Sequence, residues 1–183
     1  MKNLLGILVL GLLFFSNANS EERELELNKL FNQLKNNSDA SMAFEVEMKI
    51  WNIWSIHPAQ DKFTQSLANG SDLMSKGELE KSYKIFSKII NLAPEWAEGW
   101  NKRATVLYLM GRYQDSLDDI DEVLKRESRH FGALSGQGLV HIQLKNYEKA
   151  IKSYEKAKKI YPSISAANLM IPKLKKLIKD EAI

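Results

Sequence analysis

Few residues in this chain of 183 could do chemistry. It has 3 histidines and no cysteine, which removes disulfides, thiol nucleophiles and thiolate metal sites. No two of His57, His130 and His141 stand one helical turn apart, so the spacing of a helical zinc site is missing. His57 precedes Pro58 at a helix end, and His130 falls between two helical segments. His141 takes a position expected to be buried, where a structural histidine with satisfied nitrogens is the simpler reading. Gly132, Gly136 and Gly138 lie inside a helical pattern rather than after a strand, the wrong context for cradling a phosphate. No nucleophile elbow, Walker loop or dinucleotide fingerprint occurs. The residues assign no catalytic group, no cofactor and no metal, and point away from an enzyme.

The elements that hold these residues are written three times. Segments 63–96, 97–130 and 131–164 align without a gap on a period of 34 residues. The first helix of each places a small residue at Gly70, Ala104 and Gly138; the second does so at Ser82, Ser116 and Ala150. Phe86, Ile120 and Tyr154 follow, then Ile89, Val123 and Ala157. Small residues let the two helices of a hairpin approach, and bulky ones fill the space between repeats. The turn holds Gly77, Gly111 and Lys145; glycine ends a helix there because it accepts the left-handed conformation. Pro94, Ser128 and Pro162 close the copies.

On these residues the chain resembles the tetratricopeptide repeat (TPR) family. The middle copy carries the fullest signature in Trp100, Ala104, Leu107, Gly111, Tyr113, Ser116, Ile120 and Val123. Ser128 departs from the family's proline, and Leu73, Leu107 and His141 stand where it favours tyrosine. The resemblance implies an all-α fold, a right-handed α-solenoid of three helix hairpins whose first helices line a concave groove. The residues resembling groove positions are Thr64, Leu67, Ser71 and Met74; Glu98, Asn101, Thr105 and Tyr108; and Gly132, Ser135, Leu139 and Ile142. The binding surface is expected at Glu98, Asn101, Thr105, Tyr108, Gly132, Ser135 and Leu139. The family's carboxylate clamp is not reproduced, since Leu67, Ser71, Gly132 and Gly136 replace its polar and basic groups.

Three other groups fit structural roles. Arg103 points towards its hairpin partner, where Asp119 stands, and the resemblance implies an ion pair within the repeat. Asp115, Asp118, Asp119, Asp121 and Glu122 crowd one helix and are expected to face Lys149, Lys152, Lys156 and Lys159 across the outer surface; such exposed pairs contribute about 0–1 kcal/mol each. Trp100 is expected in the core, and Trp96 over the preceding repeat.

Outside the repeats, residues 21–58 read as a degenerate helical hairpin that caps the first repeat. Its first helix buries Leu27, Leu30, Phe31 and Leu34; its second presents Phe44, Met48, Trp51 and Trp54 on one side. Residues 165–183 form a capping helix and tail, with Leu174, Leu177 and Ile178 opposite Lys173, Lys175, Lys176 and Lys179. Pro172 predicts a kink or late start there.

Residues 1–20 have the plan of a signal peptide: Lys2, the apolar run Leu4–Phe15, then Ala18-Asn19-Ser20 before Glu21. Their removal leaves 25 basic against 23 acidic residues, a net +2, with no general case for nucleic acid. The sequence thus describes an exported, periplasmic interaction module of the cell envelope that binds a peptide or protein in its groove. The alternative is an accessory protein acting at the membrane surface through the lysine-rich last helix. Mass spectrometry of the exported protein is expected to show Glu21 as the first residue; intact Met1–Phe15 in membranes would show an anchor instead.

Overall fold

The computed structural model describes residues 20–37 and 39–181. The expected signal segment therefore lies outside the described residues, Ser20 excepted. A helix over 20–36 (α1) is followed by α2 (Ala40–Ser55), whose start Asp39 caps by accepting from Ser41 N and Met42 N. Three helix pairs come next: α3 (Asp61–Ser75) with α4 (Leu79–Leu92), α5 (Ala97–Leu109) with α6 (Tyr113–Arg126), and α7 (Phe131–Gln143) with α8 (Tyr147–Ile160). α9 (Ser165–Glu181) closes the α-solenoid. It runs continuously through Pro172, so the expected late start does not occur.

Each pair is held by close approach at the small residues. The Phe86 ring lies against Gly70 and the Tyr154 ring against Gly138, where a Cβ would stand 2.7 Å from Tyr154 carbons. Ser82 Oγ donates to Gly70 O, and Ser116 Oγ to Ala104 O, both at 2.8 Å. The turns repeat as well. Gly77 (φ 76°), Gly111 (φ 74°) and Lys145 (φ 57°) are left-handed, and each of their amides returns to the carbonyl three residues back. Lys145 adopts the same conformation with an exposed side chain, at a local backbone cost that glycine avoids.

The first hairpin differs from expectation in two ways. The buried stripe of α2 is Ala43, Val46, Ile50 and Trp54, while Phe44 and Met48 are 59% and 51% exposed. Nor does the hairpin cap the first repeat alone. Its buried residues share one core with Phe131, Leu134, Ile151, Tyr154 and Tyr161 of the third repeat. α2 is laid across the starts of successive first helices. His57 N, just after α2, donates to Thr64 at the start of α3; Trp96 Nε1 donates to Trp54 O at 3.0 Å; Trp51 sits on Phe131 at 5.6 Å between ring centroids. α1 covers it from outside, where Arg129 binds Glu24 and Asn28 and lies 4.6 Å from the Phe31 ring. The hairpin therefore runs along the solenoid rather than closing its end.

The outer charges also pair differently. Among the described residues, Asp115 pairs with Arg112, and Glu122 with Lys125 and Arg126, with no ion pair between α6 and α8. Pairing one turn apart along a helix needs less ordering than reaching across to the next repeat.

The glycines separate packing from propensity. Gly138→Val is expected to lose about 1–3 kcal/mol by overpacking against Tyr154. A Cβ at Gly136 would meet only Ile120 Cδ1, at 3.9 Å. Gly136→Ala is therefore expected to gain up to about 1 kcal/mol of helix propensity. Urea denaturation of both variants checks the opposite signs.

Candidate functional site

Spacings of three, four and three place the four groove residues of each first helix on one stripe. In the structure that stripe is divided along its length. The half nearest the helix starts is filled by the chain itself. Thr64 Oγ1 accepts from His57 N at 2.9 Å. Gly132 lies under the Trp51 indole, which occupies the space a side chain there would need. Glu98 and Asn101 are buried, at 1% and 8% exposure, and Asn101 Nδ2 donates to both Glu98 oxygens at 3.2 and 3.1 Å. The assignment of Glu98 to a partner surface is thus corrected, because its side chain is buried against His130; Asn101 and Gly132, though largely covered, still line the recess between α5 and α7.

A buried polar pair anchors this cover. His130 Nδ1 accepts from Ala133 N at 3.0 Å and caps α7. That acceptor role leaves the proton of a neutral ring on Nε2, which faces Glu98 Oε2 at 3.2 Å. The imidazole stacks on Trp54, with centroids 4.1 Å apart and planes 9° from parallel. Burial alone pushes the Glu98 carboxyl up, but His130, then Lys102 (3.4 Å away) and Asn101, hold it below the ordinary carboxylate range. Both side chains have no exposed surface, so no substrate reaches them. The only sequence signal for this pair was an acid in the buried first turn of α5 and a histidine opening α7. Their separation of 32 residues gives no pattern to read.

The other half of the stripe is open. Thr105, Tyr108, Ser135 and Leu139, with Asn101 and Gly132 at its inner edge, surround a recess of about 220 Å³ between α5 and α7. Thr105 and Leu139 are exposed, and Ser135 and Tyr108 partly so. The Tyr108 ring leans on Tyr113 at 5.8 Å, and its hydroxyl accepts from Gln143 Nε2 at 3.3 Å. The Thr105 and Ser135 hydroxyls donate to Asn101 O and Phe131 O one turn back, at 3.0 and 2.8 Å, so the recess is largely apolar. A cleft of about 520 Å³ at the seam between α1 and the solenoid is less available. Its Arg23 donates to Ile56 O, its Arg126 to Pro94 O, and its Glu127 pairs with Arg129.

Arg103 and Asp119 form a two-pronged pair, with Nε and one terminal nitrogen each 2.7 Å from a carboxylate oxygen. The Asp119 hydrogen bond holds the Arg103 guanidinium above its ordinary range. Burial draws Asp119 towards neutrality. A guanidinium at two bonding distances, which keeps its proton, favours the ionised carboxylate. The same arginine lies over Trp100 at 5.2 Å, with Arg126 at 4.9 Å. Trp100 is accordingly partly exposed and clasped by cations, not sealed in the core. His141 is half-buried and its Nδ1 has no partner among the described residues, which corrects the expectation of a satisfied ring. Burial, then Lys149, lowers its pKa. Among the described residues no three acids and histidines gather to hold a metal.

Comparison with known proteins agrees with this fold. A tetratricopeptide repeat family model matches residues 101–163. A TPR repeat-containing protein of Rhizobium etli is 32% identical over 166 residues, covering 86% of this chain and 78% of the relative. The Sgt2 TPR domain from Aspergillus fumigatus superposes with a TM-score of 0.63 at 18% identity, over 67% of this chain and 83% of that one. The first TPR of Spaghetti (RPAP3), solved bound to an HSP90 peptide, gives 0.62 at 17% identity, over 65% of this chain and 94% of that one. At such identities the solved structures establish the fold alone.

Because Glu98 is held below its ordinary 4.5, its stabilisation is complete above that value and is lost as pH falls below it. Glu98→Gln is expected to lower stability at neutral pH by about 1–3 kcal/mol and to flatten part of the acid limb. Urea titrations from neutral to acid pH check this; an unchanged limb would show that Glu98 is not ionised in the fold.

Proposed function

Since the chain belongs to the tetratricopeptide repeat family, we propose that it is an exported binding module that holds a peptide or protein segment in the open half of its concave groove. The observation that carries this reading is the recess bordered by Thr105, Tyr108, Ser135 and Leu139, the part of the groove that the chain's own hairpin leaves free. Tyr108 presents an aromatic face with a polar tip, which suits an anchor at a binding surface. Thr105 spends its hydroxyl proton on Asn101 O at 3.0 Å, so it offers a partner an acceptor but no donor. Support for export comes from the apolar run Leu4–Phe15 and the small residues before Glu21.

The test is capture from an envelope extract with the parent protein and two variants. Tyr108→Ala and Leu139→Ala are each expected to weaken partner binding by about 1–2 kcal/mol, with helical circular dichroism unchanged. Equal retention of the partner by all three proteins would exclude the open half of the groove.

A further inference from the structure

The first repeat has no helix hairpin stacked in front of it, because α1 and α2 run along the solenoid. Its leading residues Gln65 and Asp72 are exposed. At that end a recess of about 370 Å³ opens between α3 and α4. Phe63 and Ile89, 5% and 2% exposed, form its floor with Ile85, and Leu92, 60% exposed, stands at its edge.

The repeat register explains why the recess exists. Ser66, which lines it, takes the position of Trp100 in the second copy and Leu134 in the third. Trp100 packs with the core between α5 and α6, and Leu134 is 3% exposed. Each puts a bulky side chain into the crevice of its own hairpin. Ser66 is too short to do so, and its hydroxyl turns back to donate to Lys62 O at 2.8 Å. The first copy therefore keeps the crevice and lacks the side chain that fills it. Apolar floor left facing water gains free energy when something covers it.

Charge marks the same edge. Lys62 from α3 and Lys88 from α4 line the recess, and both are exposed. Among the described residues neither pairs with an acid; the Lys62 ammonium lies over the Phe63 ring, 5.0 Å from its centroid. In the second copy the corresponding charges close on themselves, since Glu122 stands in the place of Lys88 and pairs with Arg126. The first copy has Leu92 where Arg126 stands.

We propose that this recess is a second interaction site, which takes an aromatic side chain from a partner protein segment with carboxylates beside it. The ring occupies the place that Trp100 fills in the second copy, over Phe63 and Ile89. The carboxylates meet Lys62 and Lys88. The site shares no residue with the recess bordered by Tyr108 and Leu139, so the chain can hold two partner segments at once.

The probes are short fluorescent peptides with a central tryptophan between glutamates. Control peptides carry alanine for the tryptophan, or lysines for the glutamates. Fluorescence anisotropy with the intact protein should show a loss of about tenfold or more when the ring is removed. Reversing the peptide's charge, or Lys62→Glu with Lys88→Glu in the protein, should weaken binding up to about fivefold per ion pair. The two reversals together should restore it. Ser66→Trp should fill the recess from within and abolish binding, at an unchanged or higher melting temperature. Tyr108→Ala should leave binding unchanged. Binding lost in Tyr108→Ala but kept in Ser66→Trp overturns this inference and supports the groove reading. Binding that ignores the peptide's charge overturns it, as does failure of every peptide. Should Ser66→Trp lose helicity, the paired charge reversals decide, and no restoration overturns it. Self-association of the protein alone that Ser66→Trp abolishes, seen by sedimentation velocity, would put a second copy in the recess and overturn the partner assignment.

Discussion

Everything else in this molecule follows from the close crossing of two helices inside each hairpin. The Phe86 ring fills the space beside Gly70, and the Tyr154 ring that beside Gly138. Serine hydroxyls tie the crossing to the opposite backbone in the first two copies. That contact fixes the rotation of each first helix about its own axis. Once Gly70, Ala104 and Gly138 face inward, helical geometry determines which residues meet the neighbouring repeat and which form the concave stripe. The groove is therefore specified by contacts buried on another side of the same helices.

The hairpin of α1 and α2 exploits one half of that groove. Trp51, Trp54 and Phe31 supply aromatic surface, and Phe131 receives contacts from all three at centroid distances of 5.6, 5.2 and 6.5 Å. Burying a large apolar side chain gives about 1.5–3 kcal/mol, and several are buried together here. The same closure desolvates Glu98 and His130, which is tolerable because Asn101 and Ala133 N hydrogen-bond to them and Lys102 lies 3.4 Å from the Glu98 carboxylate. Lifting the hairpin would expose the aromatic cluster and uncover the polar pair in one step. The hairpin is thus part of the third repeat's core rather than a detachable flap, even though it enters the groove as a ligand would.

The repeats were legible because their signal is local and recurs three times: small residues, bulky residues and turns at fixed offsets. The hairpin was less so. Phe44, Met48, Trp51 and Trp54 form a helical stripe, but so do Ala43, Val46, Ile50 and Trp54, and the two share a residue. Side-chain bulk favoured the first, whereas packing against the solenoid chose the second. Register put Glu98 and Gly132 on one stripe, but register does not tell what lies on top. A cover that comes from another part of the chain, through Trp51 and Trp54, has no periodicity to betray it. Trp100 fell in an aromatic slot whose burial depended on neighbours, and here those neighbours are Arg103 and Arg126.

The division of the stripe also explains where sequence is free to vary. From the second copy on, residues that face the preceding repeat stay alike: Gly99, Ala133 and Ala167 are small, and Val106, Val140 and Leu174 are aliphatic, whereas the first copy, with no repeat before it, has Gln65 and Asp72 there. Close-packed interiors restrict volume at such sites. The covered half of the groove is restricted too, since Gly132 must admit Trp51 and Glu98 must meet His130. Only the outer half escapes both constraints. There the chain changes character from one repeat to the next, from Ser71 through Thr105 and Leu139 to Lys173, and from Met74 through Tyr108 and Ile142 to Lys176. Polar, apolar and basic surface follow one another along a single line. A scaffold whose packing positions are fixed can change what it recognises at these positions without disturbing how it folds.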